Sequence, residues 1–280
     1  MNNSNFDFLK YNQKKVFLIL AHPDDEIIFA NSILKRVHKT IICFQDIPNE
    51  TLISKGRYQA AQNYPLTNFL QLGLTQSRFS YKTINWKNPS ETKFGLRGYI
   101  NKNDYEKNYK LLFDKLSKIL TKDSVVITHN PWGEYGHPEH IQVNRVISEL
   151  SLKKNFEFFV TGFVSTSTLD YARLLINRLG SEFIKYETDL ELYQSIKKLY
   201  YENGCWTWFN QSIQNKHEIF YKQINNYANS KHSKIKINQI PLYIINDGNS
   251  FTRNLIHIIK IFLPRSIKKI LRDIKFQNAK

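Results

Sequence analysis

Two short segments concentrate the residue types that hold metal ions and move protons. The first is His22-Pro23-Asp24-Asp25-Glu26, with an imidazole three positions before a carboxylate. The second runs His129-Asn130-Pro131-Trp132-Gly133-Glu134-Tyr135-Gly136-His137-Pro138-Glu139-His140 and ends on two imidazoles three apart. On a first helical turn, residues three apart share a face. His22, Asp25 and His140 offer two nitrogens and one oxygen, the three-ligand set of a catalytic zinc site with one position left for water. Such an ion brings the pKa of water to about 7, so hydrolysis at neutral pH is the chemistry this set suits. Asp24 points away from Asp25 and is free to act as general base. Gly133 and Gly136 permit a tight loop that presents Tyr135 and His137. Pro23 and Pro138 stand where a preset φ and a missing N–H are tolerated. His129 reads two ways, as a flank to the metal or as a cap of the loop. Each segment has a plainer reading: acidic residues facing a helix dipole, or a His-x-x-His pair on a helix surface. Both segments following buried strands argues against coincidence. His38, His217, His232 and His257 stand alone and read as structural or surface residues.

The elements around these segments must bring them together. Lys15–Leu20 (KVFLIL) is a continuous apolar run, the mark of a strand buried on both faces. The pattern predicts a helix over 27–37, a strand over 40–44, a helix over 52–64 and a strand over 69–72. Residues 75–104 read as a long polar and aromatic excursion, and loops of that length are often functional. Helical spacing follows over 105–120, then a buried strand at Ser124–Thr128 and a helix over 138–150. An apolar stretch at 156–163 precedes helices near 169–179 and 190–201. This alternation predicts an α/β fold: a Rossmann-like, doubly wound, mainly parallel sheet with helices on both faces. Ligands bind such sheets beyond the carboxyl ends of the strands, where strand order reverses. The two chemical segments share one cleft if the strands at 15–20 and 124–128 are neighbours there.

AHPDDE after an apolar strand, with YGHPEH after a later one, resembles the LmbE/PIG-L family of metal-dependent N-deacetylases. NPWGEYGHPEH is similar to the mycothiol-precursor deacetylase pattern, and AHPDDEIIFA to the glycolipid branch. The resemblance implies His22, Asp25 and His140 as ligands of Zn2+, with Fe2+ or another divalent ion as the alternative, and Asp24 as general base. It implies His137 as an electrophilic or acid group and Tyr135 as a mobile donor to the oxyanion. Arg57, in KGRYQAAQNY, matches a family arginine that contacts substrate. Arg57, Trp132, His129 and Gln76 are the expected substrate contacts, and Trp86 with the excursion's tyrosines offers further sugar-stacking faces. Glu139 stands where many relatives have Asp, a mild change. Leu72-Gly73-Leu74-Thr75-Gln76 departs further: Gln76 replaces an Asp of the family's sugar site, which touches sugar recognition but not the metal. The strong match covers about 15–150, with a fainter echo in KKLYYENGCWTWF at 197–209. The implied activity is N-deacetylation of an N-acetylglucosamine-type glycoconjugate, in surface polysaccharide, glycolipid or related glycoside biosynthesis. The rival readings are another amidase or esterase on the same residues, or a basic nucleic-acid binder.

Composition sets the outer bounds. The chain has 280 residues, 41% hydrophobic and 14% aromatic, enough apolar surface to exclude disorder along its whole length. No apolar run reaches the ~20 residues of a membrane-spanning helix. The polar start has no secretory apolar core, so a cytoplasmic location is expected. Cys43 and Cys205 read as free buried thiols of a reducing compartment, one bridge being the alternative. The net charge of +16 favours anionic partners. No zinc finger or RNP motif accompanies it, so nucleic acid is not expected. The expected organisation is a deacetylase domain over 1–209 and a basic extension over 210–280. Within the extension, 253–280 carries eight Lys/Arg and one Asp among Ile, Leu and Phe. It is expected either to pack on the domain or to lie on an anionic membrane surface at the inner face. A lipid-linked or nucleotide-linked sugar is the substrate form that this charge suits.

Overall fold

A computed structural model describes residues 13–78, 84–98, 101–208, 215–224 and 240–245. In chain order they form β1 (Lys15–Leu20), α1 (Asp25–Phe29), β2 (Lys39–Asp46), α2 (Thr51–Gln62), β3 (Phe69–Thr75), β4 (Glu91–Thr92), β5 (Gly95–Leu96), α3 (Lys102–Ser117), β6 (Ser124–Thr128), α4 (Pro138–Lys154), β7 (Glu157–Thr161), β8 (Phe163–Ser165), α5 (Leu169–Leu175), β9 (Leu179–Glu187), α6 (Leu190–Glu202), β10 (His217–Gln223) and β11 (Tyr243–Ile245). The main sheet runs β3-β2-β1-β6-β7-β10-β9. Its first five strands are parallel, and β10 pairs antiparallel with both β7 and β9. Strand order reverses between β1 and β6, which pair directly from Lys15↔Ser124 to Ile19↔Thr128. The condition for a shared cleft, that the two segment-bearing strands be neighbours, is therefore met, and the fold is the predicted doubly wound α/β class.

The alternation of side chains along β1 builds a core on each face. Phe17 and Ile19 join Val126, Leu112, Leu116 and Ile147 on the side of α3 and α4. Leu18 and Leu20 join Val125, Ile127, Ile28 and Ile196 on the side of α1 and α6. Burial on both faces explains why β1 and β6 read as unbroken apolar runs. No described helix is long and apolar enough to cross a membrane. Cys43 and Cys205 are both buried and free.

Three expected element bounds need correction. The helix expected over 27–37 ends at Phe29 and continues as a 3-10 turn, Asn31–Ile33. The cause is long-range: Glu218 of β10 accepts the N–H groups of Asn31 (3.1 Å) and Ser32 (2.8 Å), which a continuous helix would have used internally. The helix expected near 169–179 stops at Leu175, and Leu179 already belongs to β9, an edge strand invisible in a sequence of mixed charge. The excursion is shorter than expected, because α3 starts at Lys102, with the Asn101 side chain accepting from Asn103 N and Asp104 N. Residues 217–223, counted with the basic extension, form an interior strand of the main sheet. His232, His257 and the tail 253–280 lie outside the described residues.

Candidate metal and catalytic centre

The carboxyl end of β1 feeds His22 and then α1, whose first residue is Asp25. The carboxyl end of β6 feeds His129 and the loop that ends at His137, the N-cap of α4, with Pro138 at its first position and His140 in its first turn. The strand pairing thus brings residues more than a hundred positions apart into contact. His22 Nδ1 lies 3.2 Å from His140 Nε2, and Asp25 Oδ2 lies 3.2 Å from each. Donors bound at 2.0–2.1 Å to one tetrahedral ion stand about 3.3 Å apart, so this triangle fits a single divalent ion. Ligand atoms of His22, His137 and His140 also lie within 4.8 Å of one another.

Each side chain of the triangle is oriented from behind. His22 Nε2 sits 2.7 Å from Glu139 Oε2, which leaves Nδ1 facing the triangle. His140 Nδ1 sits 2.7 Å from Glu134 Oε2, which leaves Nε2 facing it. Such carboxylate–imidazole contacts fix ring orientation and tautomer in metal sites. Asp25 Oδ2 also accepts the His22 N–H at 2.7 Å. Burial opposes the Asp25 charge, yet His140, His129 and His22 hold its carboxyl well below the usual range.

Asp24 adopts φ 97°, a left-handed conformation that Asp tolerates better than most residues. Its N–H donates to Glu26 Oε2 at 3.0 Å, and Glu26 Oε1 accepts from Tyr200 OH (2.6 Å) and Tyr64 OH (3.1 Å). Asp24 Oδ2 accepts from the Thr207 hydroxyl at 2.7 Å. Burial and the adjacent Asp25 charge push its carboxyl up to about 7, against the pull of Arg57, Thr207 and His22. A divalent cation beside it pulls that value down again. A buried carboxylate that a neighbouring cation keeps ionised at neutral pH meets the requirement for a general base.

His137 Nδ1 accepts the Glu139 N–H at 3.3 Å, which places the proton of the neutral ring on Nε2. Burial and the nearby His22 and His140 hold its pKa well below the ordinary histidine value. His137 is therefore a neutral ring whose Nε2 carries the proton. Its ring lies 4.4 Å from that of His22 and 4.7 Å from that of His140. Tyr135 is half-buried, its ring 5.3 Å from His140 and 5.1 Å from Trp208.

Two expected substrate contacts take other roles. Trp132 is fully buried in the core, and its indole N–H donates to Phe163 O at 2.8 Å. His129 is fully buried behind the triangle, stacked on His140 at 3.7 Å. Its Nε2 accepts the Ala21 N–H at 2.8 Å, so that nitrogen is neither a free ligand nor a substrate contact. Arg57 is buried near Asp24 and donates from Nη1 to Gln45 O at 3.3 Å. Its Nε has no partner among the described residues. Gln76 is half-buried, with its N–H on Asp46 O at 2.8 Å. The next residue, Ser77, donates its N–H to Glu139 Oε1 at 2.6 Å, so the loop after β3 reaches the wall of the site. Sequence reasoning missed Glu134, Thr207 and Ser77. Glu134 carried a usable signal, an acid within six positions of both His129 and His140.

Residues 17–151 match the sequence profile of the PIG-L family, described as GlcNAc-PI de-N-acetylase. The chain is similar to uncharacterized protein L374 of Acanthamoeba polyphaga mimivirus, 24% identical over 173 residues, which cover 58% of this chain and 68% of that protein. It is also similar to the 1D-myo-inositol 2-acetamido-2-deoxy-alpha-D-glucopyranoside deacetylase of Corynebacterium urealyticum, 24% identical over 157 residues. That match spans 49% of this chain and about half (47%) of the length of that relative. Among solved structures, a deacetylase from teicoplanin biosynthesis superposes at a TM-score of 0.49 and 12% identity, covering 75% of this chain and 98% of that one. Residues 17–151, which supply every residue of the His22–Asp25–His140 triangle, are a domain of the PIG-L family of GlcNAc de-N-acetylases.

Proposed function

We propose that this chain is a metal-dependent hydrolase that removes the acetyl group from an N-acetylated amino sugar of the GlcNAc type. The observation that carries the reading is the 3.2 Å triangle of His22, Asp25 and His140 with the buried Asp24 carboxylate next in the chain. The name of the corynebacterial relative supports the substrate class. Zn2+ is the first choice of ion, Fe2+ the second. When bound, the ion supplies Lewis acidity, polarising an amide carbonyl and making water a usable nucleophile near neutral pH.

The protein residues divide the remaining work. Asp24 takes a proton from the attacking water at its carboxylate. An amine does not leave as an anion at neutral pH, so the proton now on Asp24 passes to the departing nitrogen. His137 donates from Nε2 and Tyr135 from its hydroxyl to the oxygen that gains charge; losing one such donor costs about 3 kcal/mol of barrier. Arg57 and Gln76 contact the sugar. The basic tail 253–280 holds the enzyme on an anionic membrane surface at the inner face, where the substrate is lipid-linked; liposome flotation with and without the tail tests this.

The central experiment is acetate release from a panel of N-acetylated glycosides, nucleotide sugars and lipid-linked sugars, with metal analysis of the same sample. Asp24→Asn keeps the left-handed backbone accessible. It is expected to retain metal and lose at least ~100-fold in turnover, the scale of a missing general base. Near-normal turnover in that variant refutes the assignment. Release of other acyl groups without acetate would assign a different amidase or esterase to the same residues.

A further inference from the structure

Glu134 is fully buried between His129 and His140, in a left-handed conformation with φ 54°. Four hydrogen-bond donors converge on its carboxylate. Oε2 lies 3.0 Å from His129 Nδ1 and 2.7 Å from His140 Nδ1. Oε1 accepts from Asn130 N–H at 3.1 Å and from the Thr161 hydroxyl. A carboxylate has about four acceptor positions, and here all are filled. The backbone is pinned as well: Glu134 N–H donates to Asn130 Oδ1 at 2.9 Å, and Glu134 O accepts from Ser165 N at 3.0 Å and Thr168 Oγ1 at 2.9 Å.

The protons can be placed from these contacts. His129 Nε2 accepts the Ala21 N–H, so the ring proton sits on Nδ1 and points at Glu134. His140 Nδ1, 2.7 Å from the same oxygen, must also carry a proton, because two lone pairs at that distance repel. The His140 Nε2 lone pair is then directed at the triangle with His22 and Asp25.

We propose that Glu134 is a positioning residue that locks His129 and His140 in their Nδ1–H tautomers through one shared oxygen, and so sets the affinity of His140 for the divalent ion. The proposal rests on the metal reading above. Glutamine is no substitute at this position. Its single carbonyl oxygen satisfies the two imidazoles or the pair formed by Asn130 and Thr161, and its amide then meets the other donors head-on.

The test uses the full chain and Zn2+ alone, by chelator competition, together with the visible spectrum of the Co2+ form. Glu134→Gln is expected to bind Zn2+ 10–100-fold more weakly, the usual scale for a lost outer partner, with shifted Co2+ bands. Thr161→Val removes a donor to the far oxygen but leaves both imidazole contacts; it is expected to keep Zn2+ affinity within about threefold. Equal affinity and an unchanged spectrum in Glu134→Gln overturn the proposal, as does an equal loss in Thr161→Val. Should Glu134→Gln not fold, 15N shifts of the metal-free wild-type histidines decide. These signals are assigned through His129→Gln and His140→Gln. Both rings must be Nδ1–H, and an Nε2–H form of either overturns the proposal. Neither readout uses turnover, so missing acetate release removes the proposed activity alone.

Discussion

Thr207 and Asp24 lie 183 positions apart, and the Thr207 hydroxyl donates to Asp24 Oδ2 at 2.7 Å, with the Thr207 N–H at 3.3 Å from the same oxygen. The chain after α6 therefore returns to hold the carboxylate that precedes Asp25 of the triangle. A donor to the charged form favours ionisation, so Thr207 lowers the pKa of a group that burial raises. Thr207→Val keeps the shape and removes the hydroxyl. Hydrogen bonds to charged groups contribute about 1.5–3 kcal/mol, so the acid limb of the kcat/KM profile is expected to move up by about one pH unit. The loss is expected to be greater at pH 6 than at pH 8, because the base proposed for Asp24 works only when ionised. A pH–rate series on both proteins checks this, and an unmoved acid limb contradicts it.

The metal site proposed for the triangle should be visible in stability as well as in activity. Three buried polar side chains converge on one point, and an ion there binds the folded state far better than the unfolded chain. Stabilisation then grows as RT ln(1 + [ion]/Kd), about 4 kcal/mol at a thousandfold excess over Kd. Zn2+ added to chelator-stripped protein is expected to raise the Tm by several degrees. His140→Gln removes one ligand of the three and should abolish most of that rise. Thermal scans with and without Zn2+ measure it, and an undiminished rise in His140→Gln places the ion elsewhere.

The parts of the centre legible in the sequence were those set by local spacing after a buried strand. His22 and Asp25 share the first turn beyond β1, and His137 and His140 share the first turn of α4, so their types and intervals carry the information. The alternation of strands and helices carried the doubly wound class, whereas the adjacency of β1 and β6 stood only as the condition for a shared cleft and is set by the strand pairing itself. What did not show was set by distant contacts. Glu218 ends α1 from a strand almost two hundred positions later, and β10 itself carries a short apolar run between polar neighbours. Trp132 stands in the chemical segment but points into the core, because the loop turns at Gly133 (φ 68°), where a Cβ would come within 2.7 Å of His137 O. A spacing argument has no access to that reversal. The Thr207 contact is likewise a product of where α6 ends, not of any local pattern.

Glu218 makes a prediction about pH and stability that is independent of turnover. It is fully buried, and desolvation pushes its carboxyl from 4.5 up to about 7, against hydrogen bonds from Ser32 and Asn31. With the folded pKa raised, its share of stability is complete below about pH 4.5. That share is lost as pH rises to 7, because the unfolded chain releases its proton first. The loss is on the order of 3 kcal/mol across that window. Glu26, pushed up to about 8, and Asp24 contribute in the same direction, so the informative quantity is a difference. Glu218→Gln lacks the titrating group and should show a flatter dependence of unfolding free energy on pH between 4.5 and 7 than the wild type. Denaturant titrations at four or five pH values give both slopes, and parallel curves rule the effect out.

Trp132→Phe separates a packing role from a sugar platform. The indole is fully buried and donates to Phe163 O, which also accepts Asn130 Nδ2 at 2.7 Å. Losing the indole N–H therefore leaves no buried acceptor without a donor, and the principal damage is the volume removed from a close-packed core. A destabilisation of roughly 1–3 kcal/mol is expected, from a partial cavity and one lost hydrogen bond. KM for an N-acetylated sugar should stay within about twofold, since the ring touches core residues and no solvent-facing wall. A platform residue would behave in the opposite way, with stability unchanged and KM raised, because a stacking face contributes to binding and not to the fold. Measuring both quantities on one preparation decides between them, and a several-fold rise in KM with an unaltered Tm would return Trp132 to the substrate.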